Sequence, residues 1–309
     1  MSNLFAPVQR QKMKLRMALT GVSGGGKTLG ALYLACGLTD DWGKVALIDT
    51  ERERGRAYAG RSDLPTPTGE YLYAGLYAPY SPERYKEYVR QAAEAVGPDG
   101  VVIVDSLSHA WNNEGGVLEI KDRIAAQAGK NSYTAWNEAG REQNSLINYI
   151  LGVDCHTIVT MRSKMEYAME LNERGKQQPV KIGLAPVQRD DTEYEFDIVM
   201  NIGRDHIATT SKDVTFLDGF GAVITPELGR RLRAWLADGK EPERWFCADC
   251  GARIRDSARG AARARAAATQ KHFGRALCEA CTKQALREER AAQARKEANG
   301  HDTGQPPQG

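Results

Sequence analysis

The stretch LTGVSGGGKTLG, residues 19–30, constrains the fold of this chain more than any other. It fits the pattern G-x-x-x-x-G-K-[ST] and lies between an apolar, strand-like run and a helix predicted from Thr28. In such a P-loop, backbone N–H groups turn toward phosphates, the lysine reaches the β- and γ-phosphates, and the hydroxyl ligates Mg²⁺. The residues predicted to hold ATP and Mg²⁺ are Gly21, Val22, Ser23, Gly24, Gly25, Gly26, Lys27 and Thr28.

Short apolar segments alternate with helical stretches through most of the chain. The predicted strands are KLRMAL, KVALID, VVIVDS and HTIVTM, followed by the strand-like EYEFDIVMNI and HIATTSKDVTFLDG. One helix is well marked, with Ser81 as N-cap, Pro82 in its first turn and Gly97 as its stop. This alternation predicts an α/β fold with a mainly parallel sheet covered by helices.

Two acidic residues follow buried strands and are candidates for the chemistry. Asp105 ends VVIVD, where a carboxylate can complete the magnesium shell beside Thr28. Glu51 follows KVALIDT and is a candidate for the group that activates water. The alternatives are an N-cap or turn role for Asp105 and a solvated charge run, ERER, for Glu51.

VALIDTERERG followed by VVIVDSLSHAW resembles the RecA-like branch of P-loop ATPases. In that branch the catalytic glutamate ends the strand before the Walker B strand. VTMRSKMEY, KIGLAPVQRDDTEYEFDIV and TTSKD are similar to phage-encoded, AAA-family, RecA-like ATPases of the single-strand-annealing type, over about residues 13 to 217. The resemblance implies a RecA-type core, ATP hydrolysis with Mg²⁺, and a part in phage DNA recombination or replication.

The resemblance also implies roles for individual residues. Glu51 takes the catalytic role and Asp105 the magnesium role, while Thr160 and Arg162 occupy a strand-end sensor position that faces the γ-phosphate. Lys27 joins them as the cation of the P-loop.

In RecA-like assemblies a cation from the neighbouring protomer approaches the γ-phosphate. In TTSKDVT, Lys212 matches its place, which predicts a homo-oligomer. Relatives often carry a second basic residue where this chain has Val214. The alternative for Lys212 is a solvated lysine beside Asp213 in a hairpin turn.

Two loops of RecA-like proteins face DNA, and here they correspond to HAWNNEGG and the stretch from Ser163 to Pro186. The second stretch has a basic series with one aromatic, as phosphate neutralisation and base stacking require: Lys164, Tyr167, Arg174, Lys176 and Lys181. Single-stranded DNA is therefore the expected partner, with a single-strand-binding or other recombination protein as a further candidate. The alternative is a mobile surface loop without a ligand.

Four of the six cysteines form two C-x-x-C pairs, which predict a structural Zn²⁺ site: Cys247, Cys250, Cys278 and Cys281. The spacer of residues 251–277 is longer than in the usual zinc ribbon, so a helix is expected within it, and His272 is an alternative ligand. Cys36 and Cys155 lie alone in apolar surroundings and are expected to be small core residues.

The charge of the chain is unevenly distributed. Residues 251–300 hold 12 Lys and Arg against 5 Asp and Glu, whereas the remainder holds 30 against 35. A basic C-terminal module suits an anionic partner such as nucleic acid, and a solvated Arg/Ala helix is the alternative. The predicted divisions are an arm (1–12), a RecA-like ATPase domain (13–237), a Cys₄ zinc module (244–284), and a charged helix with a disordered tail (285–309).

The longest apolar stretches are far shorter than a membrane span, and the N-terminus lacks the long apolar run of a secretory signal. We therefore expect no membrane partner and a cytoplasmic location, in a bacterial host if the protein is phage-encoded. Two other functions fit a P-loop. One is a kinase or other small-molecule phosphotransferase, and the other is a nucleotide-switched assembly or packaging factor with slow turnover.

Overall fold

The computed structural model describes residues 7–171, 177–257 and 260–300, and the chain divides into two compact units after Gly239. The strands of the first unit are β1 (Arg16–Gly21), β2 (Val45–Asp49), β3 (Leu72–Gly75), β4 (Val101–Asp105), β5 (His156–Leu171), β6 (Gln177–Pro186), β7 (Ile198–Ile202), β8 (Ile207–Lys212) and β9 (Gly221–Val223). Its helices are α1 (Lys27–Thr39), α2 (Pro82–Val96), α3 (Ser108–Asn112), α4 (Val117–Ala125), α5 (Ser132–Gly152) and α6 (Pro226–Ala237).

The strands of the first unit form one sheet in the order β3-β2-β4-β5-β1-β7-β8-β9, with β6 paired to β5. All pairs from β3 to β7 are parallel, and β8 and β9 extend the sheet with antiparallel pairs. The predicted α/β P-loop fold is therefore confirmed. One strand, β5, separates the P-loop strand β1 from β4, which ends at Asp105.

Helices cover both faces of this sheet, whose central strands are apolar up to the aspartates that end β2 and β4. Every residue of β2 (VALID) and β4 (VVIVD) is buried, as expected for parallel strands between two helical layers. Leu32 of α1 and Leu232 of α6 belong to the apolar cluster on one face. Tyr85 of α2 and Leu146 of α5 belong to the cluster on the other. Polar chemistry is therefore concentrated where the strands end.

The predicted ends of α2 are confirmed. The Ser81 hydroxyl accepts a hydrogen bond from the backbone N–H of Arg84 at 3.4 Å, and Pro82 is the first helical residue. Gly97 ends the helix at φ +69°, a left-handed conformation that glycine adopts without strain. Of the two isolated cysteines, Cys155 is buried as predicted, whereas Cys36 is only half-buried.

The two stretches expected to be loops are largely regular structure. Beyond Arg162, β5 continues to Leu171 and pairs antiparallel with β6, from Ser163 opposite Pro186 to Leu171 opposite Gln177. Of the predicted basic series, Arg174 and Lys176 lie outside the described residues. The first four residues of HAWNNEGG belong to α3, which ends at Asn112. His109 is buried and is therefore not available to a ligand at the surface.

The second unit contains β10 (Trp245–Phe246), β11 (Arg253–Ile254), α7 (Ala262–Phe273) and α8 (Glu279–Gly300). β10 and β11 pair antiparallel, and α7 is the helix expected within the cysteine spacer. α8 contains Cys281, so the predicted boundary between residues 284 and 285 falls inside one helix. The charged stretch from residue 285 lies within α8, which also includes the first two residues of the tail NGHDTGQPPQG, and 301–309 lie outside the described residues.

Across the ranges that the structure describes, none of the helices combines the length and the apolar character needed to cross a bilayer.

Candidate functional site

The P-loop joins the end of β1 to the start of α1 and has a conformation that depends on glycine. Gly24 and Gly26 have φ of +80° and +93°, in the left-handed region. At Gly21 an added Cβ would lie 2.3 Å from the carbonyl oxygen of Ile202, so no larger residue fits against β7. The loop therefore brings backbone N–H groups and the positive end of α1 to one place, which favours an anion.

Lys27 and Thr28 begin α1 and place their polar atoms in the same cleft. The Lys27 ammonium donates hydrogen bonds to the carbonyl oxygens of Gly21 at 2.9 Å and Val22 at 2.8 Å. Burial lowers the pKa of Lys27, although the negative charges of Asp105 and Glu51 act against the shift. The Thr28 hydroxyl donates a hydrogen bond to the Asp105 carboxylate.

Asp105 lies at the carboxyl end of β4 and is only 3% exposed. Its two oxygens accept hydrogen bonds from the hydroxyls of Thr28 and Thr160, so its carboxylate binds side chains of α1 and β5. Burial raises the pKa of Asp105, and the two hydrogen bonds oppose this only in part. The neighbouring hydroxyl and carboxylate oxygens suit Mg²⁺, whose charge would favour the ionised carboxylate.

Glu51 and Arg162 form a two-pronged ion pair above the ends of the strands. Arg162 Nε lies 2.7 Å from Glu51 Oε1, and Arg162 Nη2 lies 2.6 Å from Glu51 Oε2. Burial acts to raise the pKa of Glu51, but the hydrogen bonds and positive charge of Arg162 outweigh it, and the pKa lies below its ordinary value. Glu51 is therefore an ionised base held in one orientation, not part of a solvated charge run.

His109 lies beside this pair. Its Nδ1 is 2.6 Å from the Thr50 hydroxyl, and its Nε2 is 4.0 Å from Glu51 Oε1. Burial lowers the pKa of His109, and the positive charge of Arg162 adds to the shift. The neutral imidazole of His109 thus lies beside the Glu51 carboxylate, and Arg162 remains the cation paired with that carboxylate.

Asp49 organises the loop that carries Glu51, and its role was not predicted from the sequence. The side chain is 1% exposed at the end of β2. Its Oδ1 accepts the backbone N–H of Glu51 at 2.5 Å, and its Oδ2 accepts the N–H of Gly55 at 2.8 Å and the Tyr73 hydroxyl at 3.1 Å. A buried charge with three donors fixes the path of residues 49–55 and thereby the position of Glu51. The feature of the sequence that indicates this role is an aspartate at the end of an otherwise apolar run.

These groups meet in one cleft of about 760 Å³, a volume suited to a nucleotide. One end is lined by the P-loop with Lys27, Thr28, Glu51, Asp105 and Arg162. The lining also includes Arg54, Asp205 and His206, together with apolar and aromatic side chains: Tyr33, Tyr58, Pro65, Val223 and Ile224. The cleft therefore offers polar groups for phosphates and apolar surface for an aromatic base.

The structure does not bring Lys212 to this cleft. In the sheet it lies opposite Val199, whereas the P-loop end of β7 is Ile202, beside Gly21. The Lys212 ammonium donates a hydrogen bond to the carbonyl oxygen of Tyr194. Within its own chain, Lys212 is thus remote from the phosphate end of the cleft.

The second unit brings the four predicted cysteines together: the sulfurs of Cys247, Cys250, Cys278 and Cys281 all lie within 4.8 Å of one another. The sulfurs of Cys250 and Cys278 are 3.6 Å apart. Four Zn–S bonds of about 2.3 Å in a tetrahedron place the sulfurs roughly 3.8 Å apart, so the donor set fits Zn²⁺.

His272 is not part of this cluster, which corrects its prediction as an alternative ligand. Its Nε2 lies 3.1 Å from Glu289 Oε2, so its ring bonds to α8 instead. It is held on the last turn of α7, where its ring also meets Phe273 edge-on at a centroid distance of 4.3 Å.

Comparison with known proteins agrees with the geometry of the first unit. The family model described as "AAA domain" matches residues 13–219, which is more than half of the chain. The matched range includes the P-loop, Glu51, Asp105 and Arg162. No curated protein sequence matches this chain. Because the match to the family model covers more than half of the chain, the chain belongs to the AAA domain family.

Proposed function

We propose that this protein binds and hydrolyses ATP with Mg²⁺ and couples its nucleotide state to single-stranded DNA in phage recombination or replication, in the cytoplasm of a bacterial host. The AAA domain and the cleft support the nucleotide-binding part of this proposal. The proposed coupling between nucleotide and DNA rests on one observation, that a single strand connects the cleft to the hairpin. β5 brings Arg162 to the cleft and Thr160 to Asp105, and then continues as the first strand of the β5–β6 hairpin.

In the proposed reaction the P-loop and Lys27 bind the phosphates and stabilise the charge that develops on them. Mg²⁺, when bound by Thr28 and Asp105, supplies further charge neutralisation. The ionised Glu51 carboxylate accepts a proton from the attacking water. Arg162 orients Glu51 through its two hydrogen bonds and adds positive charge beside the γ-phosphate.

Arg162 and the hairpin belong to one strand, so a ligand that moves the hairpin can also move Arg162 and, through it, Glu51. Lys164 lies two residues beyond Arg162 and is exposed, where it can contact a DNA phosphate. We infer that DNA bound to the hairpin changes the position of Arg162, and hence the fraction of Glu51 that is correctly oriented.

A second surface of the same unit suits unstacked bases. The rings of Trp111 and Trp136 stack with centroids 6.0 Å apart, and the Lys121 ammonium lies 5.4 Å from the Trp136 centroid. Tyr133 precedes Trp136 by one helical turn and is 77% exposed. Exposed aromatic rings grouped with a lysine are typical of surfaces that stack single-stranded nucleic acid.

The experiment is to measure ATP hydrolysis with and without single-stranded DNA, with duplex DNA of the same sequence as the comparison. We expect single-stranded DNA to raise kcat, and Trp136→Ala to weaken this stimulation while the DNA-free rate is retained. Tyr194→Ala, an exposed aromatic outside the patch, is the matched control. A rate that depends neither on single-stranded DNA nor on protein concentration would favour the slow nucleotide switch. Transfer of phosphate to a small-molecule acceptor in place of phosphate release would favour the phosphotransferase.

We further propose that the active form is a homo-oligomer in which Lys212 reaches the nucleotide of a neighbouring protomer. Its distance from its own cleft supports a contact made in trans. Lys212→Ala should then reduce ATP-dependent assembly and DNA-stimulated hydrolysis together, while the zinc content and folding of the protomer stay unchanged. Wild-type assembly by this variant would reduce Lys212 to a solvated lysine that binds the Tyr194 carbonyl.

The second unit is proposed to hold one Zn²⁺ and to contact nucleic acid. Arg263 and Lys271 are exposed two turns apart on α7, which gives this helix a basic surface. Their joint replacement by alanine should lower the salt dependence of DNA binding without changing the basal ATPase rate. Unchanged DNA affinity and salt dependence would leave α7 a solvated basic helix.

A further inference from the structure

A second cleft of about 290 Å³ lies between α5 and the segment that follows β6. None of its lining residues lines the nucleotide cleft. Gln143 and Asn144 face it from α5, and Asp190, Asp191 and Glu195 face it from the opposite side. The nucleotide chemistry proposed above leaves this site without a function.

A buried amide lies at the wall of this cleft with one atom unpaired. Gln143 is 1% exposed, and its Nε2 donates to Gln188 Oε1 at 2.9 Å. Gln188 has a fixed orientation, because its Oε1 also accepts the backbone N–H of Arg189 at 2.9 Å and its Nε2 donates to the Leu107 carbonyl at 3.2 Å. The orientation of the Gln143 amide follows, and its Oε1 has no hydrogen-bond partner among the described residues. A buried acceptor without a protein donor is normally satisfied by an ordered water or by a ligand, and the adjoining cleft has room for either.

The charges around the cleft define that donor further. Among the described residues, Asp190, Asp191 and Glu195 form no ion pair, and the one cation of the wall, Arg189, donates to Asn144 Oδ1 at 2.8 Å. The cleft therefore favours a cation over a phosphate. The carboxylates are not a metal site, because the four cysteines are the one group of three or more metal-binding side chains found close together in the described ranges.

We propose that this cleft binds a guanidinium group. A guanidinium is planar and presents five N–H donors, so it can serve the Gln143 acceptor and two carboxylates at once, whereas an ammonium concentrates three donors on one atom. The group has two sources, either a free guanidino compound or an arginine of a second copy of this chain. Glu195 follows Tyr194, and the Tyr194 carbonyl oxygen accepts a hydrogen bond from Lys212. The cleft is thus connected to the lysine that is proposed to reach a neighbouring protomer, which agrees with the second source.

The test uses L-argininamide as the probe and L-leucinamide, which lacks the guanidinium, as its control, with binding to the full chain measured by calorimetry. We expect argininamide to bind at least about tenfold more tightly than leucinamide. The double variant Asp190→Asn/Asp191→Asn should lose that difference, because both carboxylates are exposed and their replacement leaves the fold intact. The matched control is Asp218→Asn, an exposed aspartate that does not line the cleft.

Sedimentation velocity on the same samples separates the two sources. If argininamide dissociates the assembled wild-type protein and the double variant assembles less, the guanidinium belongs to a second copy. If assembly is unchanged while argininamide binds, the natural ligand is a free guanidino compound. Equal affinity for the two probes, or wild-type argininamide binding by the double variant, would overturn the proposal. ATP hydrolysis measured without DNA should continue in the double variant, because neither aspartate lines the nucleotide cleft, so failure here is distinct from failure of the proposed function.

Discussion

Replacement of Asp49 by asparagine tests whether the base of this site is positioned through the backbone. The Asp49 carboxylate accepts the N–H groups of Glu51 and Gly55 on different oxygens. Asparagine keeps the size of the side chain but turns one oxygen into an NH₂ donor. Each carboxylate oxygen accepts one backbone N–H, so in either orientation the NH₂ of asparagine faces a backbone N–H group. The Tyr73 hydroxyl can become an acceptor, but a backbone N–H group cannot.

The magnitude follows from these contacts. One hydrogen bond to a buried charge is lost, which is about 1.5–3 kcal/mol, so we expect the free energy of unfolding to fall by about 2 kcal/mol. The loop of residues 50–55 then shifts, and a displacement of the base by about 1 Å is enough to lower kcat by roughly 100-fold. Arg162 still holds the Glu51 carboxylate, so the loss of kcat should reach roughly 10- to 100-fold. KM for ATP should change little, because Asp49 does not line the nucleotide cleft.

Three measurements on Asp49→Asn check the reasoning: steady-state ATP hydrolysis, denaturant unfolding, and hydrogen exchange at the amides of Glu51 and Gly55. Exchange should accelerate at one or both of these amides more than at the buried amides of β4. Glu51→Gln serves as the reference for complete loss of the base. A variant that retains wild-type kcat while Glu51→Gln is inactive would refute a positioning role for Asp49.

Three further predictions concern the same chain. Lys27→Ala should abolish ATP binding, whereas Glu51→Gln should bind ATP without turnover, because one removes phosphate charge compensation and the other only the base; turnover by Glu51→Gln at the wild-type rate would contradict this. The lowered pKa of Glu51 means that its ion pair stabilises the fold above the ordinary glutamate pKa and that this contribution is lost as the pH falls through the lowered value. Arg162→Met should therefore raise the pKa of Glu51 and move the acid limb of the kcat profile to higher pH, and an unmoved limb would show that Arg162 does not set that pKa. One zinc per protomer should disappear in Cys247→Ser/Cys250→Ser, and chelation should unfold the second unit without unfolding the first; full metal content in that variant would exclude the site.

The sequence predicts the local structure around the P-loop well, because the determinants there are local. The P-loop pattern, the buried strand that ends at Asp105 and the caps of α2 are each encoded within a few consecutive residues. Parallel strands covered on both faces need unbroken apolar runs, and VALID and VVIVD are such runs.

The parts that the sequence does not predict depend on partners far apart in the chain. In the sequence, Asp49 looks like an ordinary polar residue at the end of a strand. Its role depends on hydrogen bonds from Gly55 and Tyr73, which only the structure shows. β3 is short and half-exposed, so its pattern resembles a loop. The resemblance to RecA-like proteins predicts a loop over residues 163–186, because in those proteins a DNA-facing loop follows a central strand. Yet two β-forming runs flank a glycine-containing centre, which is a hairpin signal.

The Glu51–Arg162 pair shows why the residue types at these two positions matter. Glu51 follows β2 and Arg162 lies on β5, with β4 between them, so the two backbones are separated by about two strand spacings, or roughly 10 Å. Only long side chains meet over that distance, and they meet above β4, where Asp105 ends the strand. The shorter carboxylate of Glu51→Asp retains the charge but cannot reach the same guanidinium geometry. The ion pair thus joins the loop that follows β2 to the strand that continues into the hairpin, which is the connection that the proposed coupling requires.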